Sequence, residues 1–181
     1  MKNINNILLV PGTLQYVKHY KEFDGVDIWI CNKKEKINLK AKYFIGHSLG
    51  VNYILNANVN DESKFIFVNP LIKKRSAFNL FVRWIKFLVF EGFRGEKLVP
   101  VRYWLHVLRQ VFLLLRVDVI GKLQEIPKEN IFVIRGKQDN FFCDCEDVDI
   151  LIKNNFKVIE VDAGHDWNSN IARAVKDVIK L

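Results

Sequence analysis

The amino-acid sequence predicts an α/β fold, in which a doubly wound, mostly parallel sheet of about six strands carries helices on both faces. Short apolar runs recur along the chain, at residues 7–10, 28–30, 43–45, 65–68, 131–134 and 158–161. Most of these runs are continuously apolar rather than alternating, which is typical of strands that are buried on both faces of a parallel sheet. Most gaps between the runs are long enough for the crossover helix that parallel pairing requires. The chain is therefore predicted to consist of repeated strand–helix–strand units.

Four helices are predicted between or after these runs, at residues 14–20, 49–57, 145–154 and 168–180. The last is the clearest, because one of its faces carries five apolar side chains: Ile171, Ala174, Val175, Val178 and Ile179. Residues 31–42 leave room for little more than a brief surface helix. No internal repeat or low-complexity linker divides the chain, so residues 1–181 are expected to form a single domain.

An insertion separates the fourth apolar run from the fifth. About sixty residues intervene there, where about twenty would suffice for a crossover. Residues 76–90 and 101–117 are predicted as two helices, because their polar residues trace narrow stripes and all other positions are apolar. Gly92, Gly95 and Pro100 supply the turn between them. The core is therefore predicted to comprise residues 1–70 and 123–181, and residues 71–122 to form a helical lid.

The net charge of +8 is concentrated in this insertion. Residues 71–122 contain eleven Lys and Arg against three Asp and Glu, and the rest of the chain is balanced. The cationic stripes are narrow and the aromatic side chains fall on the apolar faces, unlike a stacking platform lined by cations, which argues against nucleic acid as a partner. We expect peripheral contact with an anionic membrane instead.

Composition bounds the class of protein further. Half of the residues are hydrophobic, which argues against a disordered chain. The first apolar run is cut by Pro11-Gly12 and is too short for a signal-peptide core, so we expect a cytoplasmic protein. Cys31, Cys143 and Cys145 lack the spacing of a disulfide framework or a zinc site, and we expect free thiols and no metal or organic cofactor.

A predicted strand runs into Gly46-His47-Ser48-Leu49-Gly50, a G-x-S-x-G pattern that is followed by a predicted helix. A sharp strand-to-helix turn presents the serine hydroxyl above the sheet, and the two glycines relieve the crowding of that turn. The backbone N–H of Leu49, at the start of the helix, would then donate to a developing oxyanion. Ser48 is predicted as a nucleophile, although an ordinary glycine-flanked helix start shows the same pattern.

Two later segments supply the groups that would activate this serine. Asp139 follows the fifth apolar run and His165 follows the sixth. In a parallel sheet the loops after these strands lie on one edge, together with the loop that carries Ser48. A serine needs a base and the base needs an orienting acid, so His165 is predicted as the base and Asp139 as the acid.

Four other carboxylates compete with Asp139 for this role: Asp144, Asp147, Asp149 and Asp162. The first three are interpreted as residues in the first turn of a helix, where carboxylates interact favourably with the helix dipole. Asp139 therefore remains the preferred candidate for the orienting acid. His47 is interpreted as packing beside the serine turn, and His106 as a solvated residue of the insertion.

The sequence resembles the α/β-hydrolase superfamily, in which the nucleophile, acid and base follow one another in the order seen here. The matching segments are residues 9–13, 46–50, 136–139 and 164–165. The resemblance covers residues 1–70 and 123–181. The V-P-G turn is similar to that of the small serine hydrolases of the retinoblastoma-binding-protein-9 and YdeN-like group.

This resemblance implies a reduced α/β-hydrolase fold with the strand order 2-1-3-4-5-6, no amino-terminal hairpin and a lid after the fourth strand. It also implies that the backbone N–H of Thr13 is a second oxyanion donor. Pro11 departs from the family pattern, which more often has histidine in an H-G turn.

The predicted reaction is acyl transfer from a small-molecule ester to water through an acyl-enzyme on Ser48. Thioester and amide substrates stay open as alternatives, and the apolar insertion favours a lipid-like or long acyl chain. The alternative function is a catalytically idle α/β-hydrolase fold that serves as a binding or membrane-associated module.

Overall fold

The computed structural model describes residues 6–30, 40–57, 62–91 and 98–180. Within these ranges a five-stranded, fully parallel sheet has the order β1-β2-β3-β4-β5. The strands are β1 (Ile7–Val10), β2 (Tyr43–His47), β3 (Lys64–Val68), β4 (Ile131–Gly136) and β5 (Val158–Val161). The helices are α1 (Leu49–Asn56), α2 (Ala77–Phe90), α3 (Trp104–Leu114), α4 (Val119–Gln124), α5 (Cys145–Lys153) and α6 (Ser169–Ile179). The predicted α/β class and parallel sheet are thus confirmed.

The predicted second strand is wrong, so the described sheet has five strands rather than about six. The chain does return beside β1, where the N–H of Leu9 donates to Asp24 and the N–H of Val26 donates to Leu9, but this pairing is an isolated bridge. The apolar run that follows is buried by side-chain packing. Trp29 is fully buried, and its Nε1–H donates to the carbonyl of Pro11 at 3.1 Å. A short apolar run predicts burial, but it does not distinguish a strand from a packed irregular segment.

Three of the four predicted helices outside the insertion are confirmed as α1, α5 and α6. The helix predicted at residues 14–20 is wrong, because only a 3-10 turn forms there, at Val17–His19. Leu14 has a φ of 64°, and Gln15 makes an isolated antiparallel bridge with Leu98, so the backbone cannot start a helix at this point. The brief helix expected at residues 31–42 falls largely on residues 31–39, which lie outside the described residues.

Helices cover both faces of the sheet, as a doubly wound fold requires. On one face, Phe44, Phe65 and Phe67 of the strands share a buried cluster with side chains of α1, α3, α4 and α5. On the other face, Ile45 and Ile66 share a cluster with the buried side of α6. Because alternate residues of each strand enter opposite clusters, both faces are apolar, which explains the continuous apolar runs.

The predicted insertion contains two long helices. Before α2, Ser76 caps the helix by accepting the backbone N–H of Asn79. Before α3, a 3-10 turn forms at Val101–Tyr103, and α3 then packs on α1, where Asn52 donates to the carbonyl of Leu114. The glycines of the predicted turn, Gly92 and Gly95, lie outside the described residues. Over the part of the chain that is described, none of the helices is both long enough and apolar enough to span a bilayer.

Candidate active site

Ser48 lies between β2 and α1, on the turn that the G-x-S-x-G pattern predicts. Its φ is 52° and its ψ is −124°, a conformation that costs on the order of 1–3 kcal/mol for a residue other than glycine. Close contacts explain the flanking glycines. A Cβ at Gly46 would lie 2.8 Å from the Cα of Val51, and one at Gly50 would lie 2.4 Å from the carbonyl oxygen of Val10. The surrounding chain therefore holds the serine in a strained turn at the carboxyl end of the sheet.

The structure brings Ser48, Asp139 and His165 together. The Oγ of Ser48 lies 3.0 Å from Nε2 of His165, and Nδ1 of His165 lies 2.6 Å from Oδ2 of Asp139. Because a carboxylate only accepts hydrogen bonds, Nδ1–H donates to Asp139, and Nε2 is left to accept the hydroxyl proton of Ser48. All three residues are buried. This arrangement can activate the serine as a nucleophile.

Asp139 is held by the backbone of its own loop. Its Oδ1 accepts the N–H groups of Phe141 and Phe142, and its Oδ2 accepts the N–H of Cys143. Burial would raise the pKa of Asp139, but the charge and hydrogen bond of His165, together with these N–H groups, outweigh burial and lower the pKa to about 2. Asp139 is therefore an anion at neutral pH, with an acceptor fixed toward the imidazole.

His165 has the opposite balance. Burial would lower its pKa, but the neighbouring Asp139 carboxylate stabilises the imidazolium and raises the pKa above its ordinary value. Asp166 and Glu91 add smaller effects in the same direction. The site is thus arranged to stabilise the positive charge that His165 would gain when it takes the serine proton.

Asn69 joins the loops of the site, and the sequence analysis did not identify it. It lies just after β3 with a φ of 46° and is fully buried. Its Oδ1 accepts the N–H of Gly136, while its Nδ2 donates to the carbonyls of Gly164 and His165 at 3.1 and 2.8 Å. The available sequence signal was only its position directly after a predicted strand, since asparagine tolerates left-handed backbone.

His47 supports His165 from behind. Its Nε2–H donates to the backbone carbonyl of His165 at 2.9 Å, and its Nδ1 lies 2.6 Å from the hydroxyl of Tyr20. Burial, and then the proximity of His165, lower the pKa of His47 to about 4, so it is neutral at physiological pH. The hydroxyl of Tyr20 also accepts the N–H of Gly12 and lies 2.5 Å from Oε1 of Gln15. This network fixes the loop after β1 against the site.

Glu91 is a second residue that the sequence analysis missed. It follows directly after α2, and both of its carboxylate oxygens lie 3.2–3.3 Å from the backbone N of His165. Burial raises its pKa, and the His165 contact partly offsets that effect. No local motif marks this contact, because 74 residues separate the two partners. It ties the end of α2 to the loop that carries His165.

Two of the four competing carboxylates stabilise the start of α5. Asp144 and Asp147 form a capping box at its amino terminus, and both pair with Arg75. Asp144 also pairs with Arg83 of α2. These contacts agree with their interpretation as first-turn residues. The expectation for His106 is wrong, because this half-buried side chain packs with its Nε2 3.3 Å from the carbonyl of Ile28.

The predicted oxyanion donors belong to residues beside Ser48. Leu49 is the first residue of α1, where backbone N–H groups have no partner within the helix. Thr13 lines the same cavity as Ser48 and Leu49. The N–H of Gly12 is already taken by Tyr20, which is consistent with Thr13 as the donor from this loop. The role of the two N–H groups stays a prediction.

An apolar cavity of about 420 Å³ opens beside Ser48 and His165. Its walls come mainly from α2 and α3, through Leu80, Phe81, Trp84, Phe87, Trp104, Val107, Leu108, Val111 and Phe112. Four of these side chains are also exposed to solvent and form the rim: Phe81, Trp104, Leu108 and Phe112. A ligand that reaches Ser48 therefore lies against apolar side chains of the two helices.

Cys143 is buried and Cys145 is exposed, both as free thiols, while Cys31 lies outside the described residues. Across residues 6–30, 40–57, 62–91 and 98–180, no cluster of three or more His, Cys, Asp or Glu side chains is arranged to hold a metal ion. The groups that meet at Ser48 are those of acid–base and nucleophilic chemistry.

No protein-family model matches the sequence, and no curated protein matches it. Solved structures do match. An esterase from Pyrococcus furiosus has 18% identity and a TM-score of 0.46, over 78% of this chain and 54% of that chain. MenH from S. aureus has 18% identity and a TM-score of 0.48, over 99% and 93% of the two chains. The capsule O-acetyltransferase of Neisseria meningitidis serogroup A has 14% identity and a TM-score of 0.47, over 100% and 89%.

The matched structures thus include an esterase and an acyl-transferring enzyme. The chain spans about half the length of the Pyrococcus furiosus esterase. The resemblance to the retinoblastoma-binding-protein-9 and YdeN-like group stays a prediction.

Proposed function

We propose that this chain is a serine hydrolase of the α/β-hydrolase type that cleaves an ester with an apolar acyl group. The observation that carries the proposal is the chain of contacts from Ser48 through His165 to Asp139, at 3.0 and 2.6 Å, beside an apolar cavity. The local strain at Ser48 supports it, because strained backbone is typical of functional residues.

The reaction proceeds through an acyl-enzyme. His165 takes the hydroxyl proton of Ser48 while Oγ attacks the carbonyl carbon, and the N–H groups of Leu49 and Thr13 stabilise the oxyanion. The intermediate collapses, the C–O bond to the alcohol breaks, and His165 returns the proton to that alcohol. A water molecule then repeats the sequence and releases the acid. Asp139 keeps the imidazole in the required tautomer throughout.

A fluorophosphonate probe tests the nucleophile without the natural substrate. We expect one adduct, mapped by mass spectrometry to Ser48, and none in the Ser48→Ala variant. Ser63 is a useful internal control, because it is also buried but donates only to the carbonyl of Ala41. Labelling elsewhere, or no labelling of folded protein, would overturn the proposal in favour of a catalytically idle binding module.

The acyl preference is tested with esters of increasing chain length. Each methylene buried against the cavity wall contributes about 0.8 kcal/mol, so kcat/KM should rise from acetate toward longer chains. Val111→Phe adds bulk inside the cavity and should lower the ratio of long-chain to acetate turnover. Ile152→Phe is the matched control, because Ile152 is exposed on α5 and outside the cavity. An unchanged ratio in Val111→Phe would refute the acyl site.

A further inference from the structure

Helices α2 and α3 expose a large apolar surface, which we call the apolar helix face. Its members on α2 are Phe78, Phe81, Ile85 and Val89, and its members on and just before α3 are Val101, Leu105, Leu108 and Phe112. The exposed fraction reaches 78% at Phe78 and 84% at Leu105. Their spacing of three or four residues places each set on one side of its helix. Exposed apolar surface of this extent marks a contact site.

Arginines border this face along α3. Arg102 in the 3-10 turn, Arg109 on α3 and Arg116 just after α3 recur every seven residues along the chain, and we call them the arginine row. On α3 itself, Arg109 lies on the same side of the helix as Leu105 and Phe112. All three arginines are exposed, as is Lys86 on α2. Residues 77–90 and 98–117 contain no Asp or Glu at all. Within these two ranges, all charged residues that border the apolar helix face are therefore cationic.

We propose that the apolar helix face docks on an anionic lipid bilayer. Helices of this kind lie in the plane of the interface, with apolar side chains among the acyl chains and basic side chains at the lipid phosphates. Phe78 and Leu105 would enter the bilayer, and the row from Arg102 to Arg116 would contact the headgroups. The apolar helix face is complementary to an anionic bilayer, because it carries apolar surface and positive charge side by side.

A second copy of this chain fits the face less well. Self-association through a two-fold axis would bring the same arginine row to both sides of the contact. Like charges in contact are unfavourable, and the two helices hold no carboxylate that could offset them. The absence of acidic residues favours a partner that is itself anionic.

The docked orientation would also deliver substrate, an implication that rests on the proposed function. Phe81 and Leu108 belong to the apolar helix face and also line the cavity beside Ser48. An acyl chain could therefore pass from the bilayer into the cavity without crossing water. The substrate class that this geometry selects is a membrane-resident ester, whose acyl chain already lies among apolar side chains.

Flotation of the whole protein with vesicles tests the docking. We expect it to float with equal parts phosphatidylcholine and phosphatidylglycerol but hardly at all with phosphatidylcholine alone. High salt should release it only in part, because salt screens charge but not apolar insertion. Binding that is equal on both vesicle types, or absent from both, would overturn the proposal.

Two sets of substitutions separate the contributions of positive charge and of apolar contact to vesicle binding. Reversing Arg102, Arg109 and Arg116 to Glu should weaken vesicle binding by at least about 100-fold, since each cation near such a surface supplies roughly a fivefold gain. The matched control reverses Lys153, Arg173 and Lys176, which are exposed on α5 and α6 and give the same change in net charge. An equal loss in the control would show that the net charge acts, and not this face.

Phe78→Ser with Leu105→Ser should abolish the binding that survives high salt. Sedimentation velocity on the wild type then checks for self-association, and a dimer that these substitutions dissociate would overturn the bilayer in favour of a second copy. Flotation is repeated with Ser48→Ala, which removes the nucleophile but not the face. Flotation without probe labelling of the wild type would reject the proposed function alone, and labelling without flotation would reject the docking alone.

Discussion

The loops after β2 to β5 and the pair of helices α2 and α3 meet at Ser48, and they are built in opposite ways. In the loops, polar groups are buried and satisfy one another, as at Asn69 and Asp139. On the helices, large apolar side chains remain exposed and the cations lie at the border. Buried hydrogen-bond networks fix one geometry, whereas apolar surface accepts any ligand of suitable shape. In the proposed function, the loops would hold the reacting groups in one geometry and the helices would contact the substrate.

The sharpest test of the loop region is Asp139→Asn. An amide at this position would donate to Nδ1 of His165, so the ring proton would move to Nε2. Nε2 could then no longer accept the hydroxyl proton of Ser48. We expect kcat to fall by about 10⁴, as for an aspartate of this role in other serine enzymes. Steady-state kinetics on a soluble ester measures it.

Asp144→Asn is the matched control, because asparagine caps a helix about as well as aspartate. Its activity should stay near that of the wild type. Asp147 serves less well as a control, since it is fully buried against Arg75 and its loss would leave that charge unpaired. Equal losses in Asp139→Asn and Asp144→Asn would remove the distinction between the two carboxylates.

The second comparison concerns stability. Leu123→Ala removes a fully buried side chain and should lower the free energy of unfolding by about 2–5 kcal/mol. Leu105→Ala removes the same atoms from an exposed position and should change it by less than about 0.5 kcal/mol. Urea unfolding of both variants measures the difference. Similar losses would mean that the apolar helix face is covered in the folded protein.

The third comparison concerns Glu91, where the two regions join. Glu91→Ala removes a hydrogen bond to a charged acceptor and should lower kcat/KM about tenfold. Glu91→Gln keeps an acceptor for the N–H of His165 but removes the charge.

His165 must be neutral to act as a base, so activity falls as the pH drops through its raised pKa. Because Glu91 contributes to that rise, Glu91→Gln should move the acidic limb of the kcat/KM profile to lower pH. Asp139 and Asp166 are the other acidic groups that act on His165, and they remain in this variant. If the acidic limb stays at the same pH, the charge of Glu91 does not act on the pKa of His165, and Glu91 only connects α2 to the loop.

The sequence alone predicted the site residues that depend on local pattern. Ser48 sits on a turn whose crowding demands Gly46 and Gly50, so the pentapeptide encodes the geometry. The proximity of Asp139 and His165 to Ser48 was predictable because the carboxyl ends of parallel strands share one edge. The edge strand was mispredicted because burial of Trp29 does not require a backbone ladder.

Asn69 and Glu91 were missed for a different reason. Their hydrogen bonds reach residues 67 to 96 positions away, and no repeat or spacing links such partners. Long-range contacts of this kind are decided by packing of whole elements. They become visible only once the loops and α2 are placed in space.

The contact between Glu91 and the backbone N–H of His165 can report on local motion at the site. The row of Arg83, Phe87 and Glu91 attaches α2 to the loops, through Asp144, the ring of His165 and the backbone N–H of His165. That N–H can exchange its hydrogen with solvent only when the carboxylate has moved away. The exchange rate at a single amide, that of His165, therefore measures the free energy needed to break the contact between the end of α2 and the loop that carries His165.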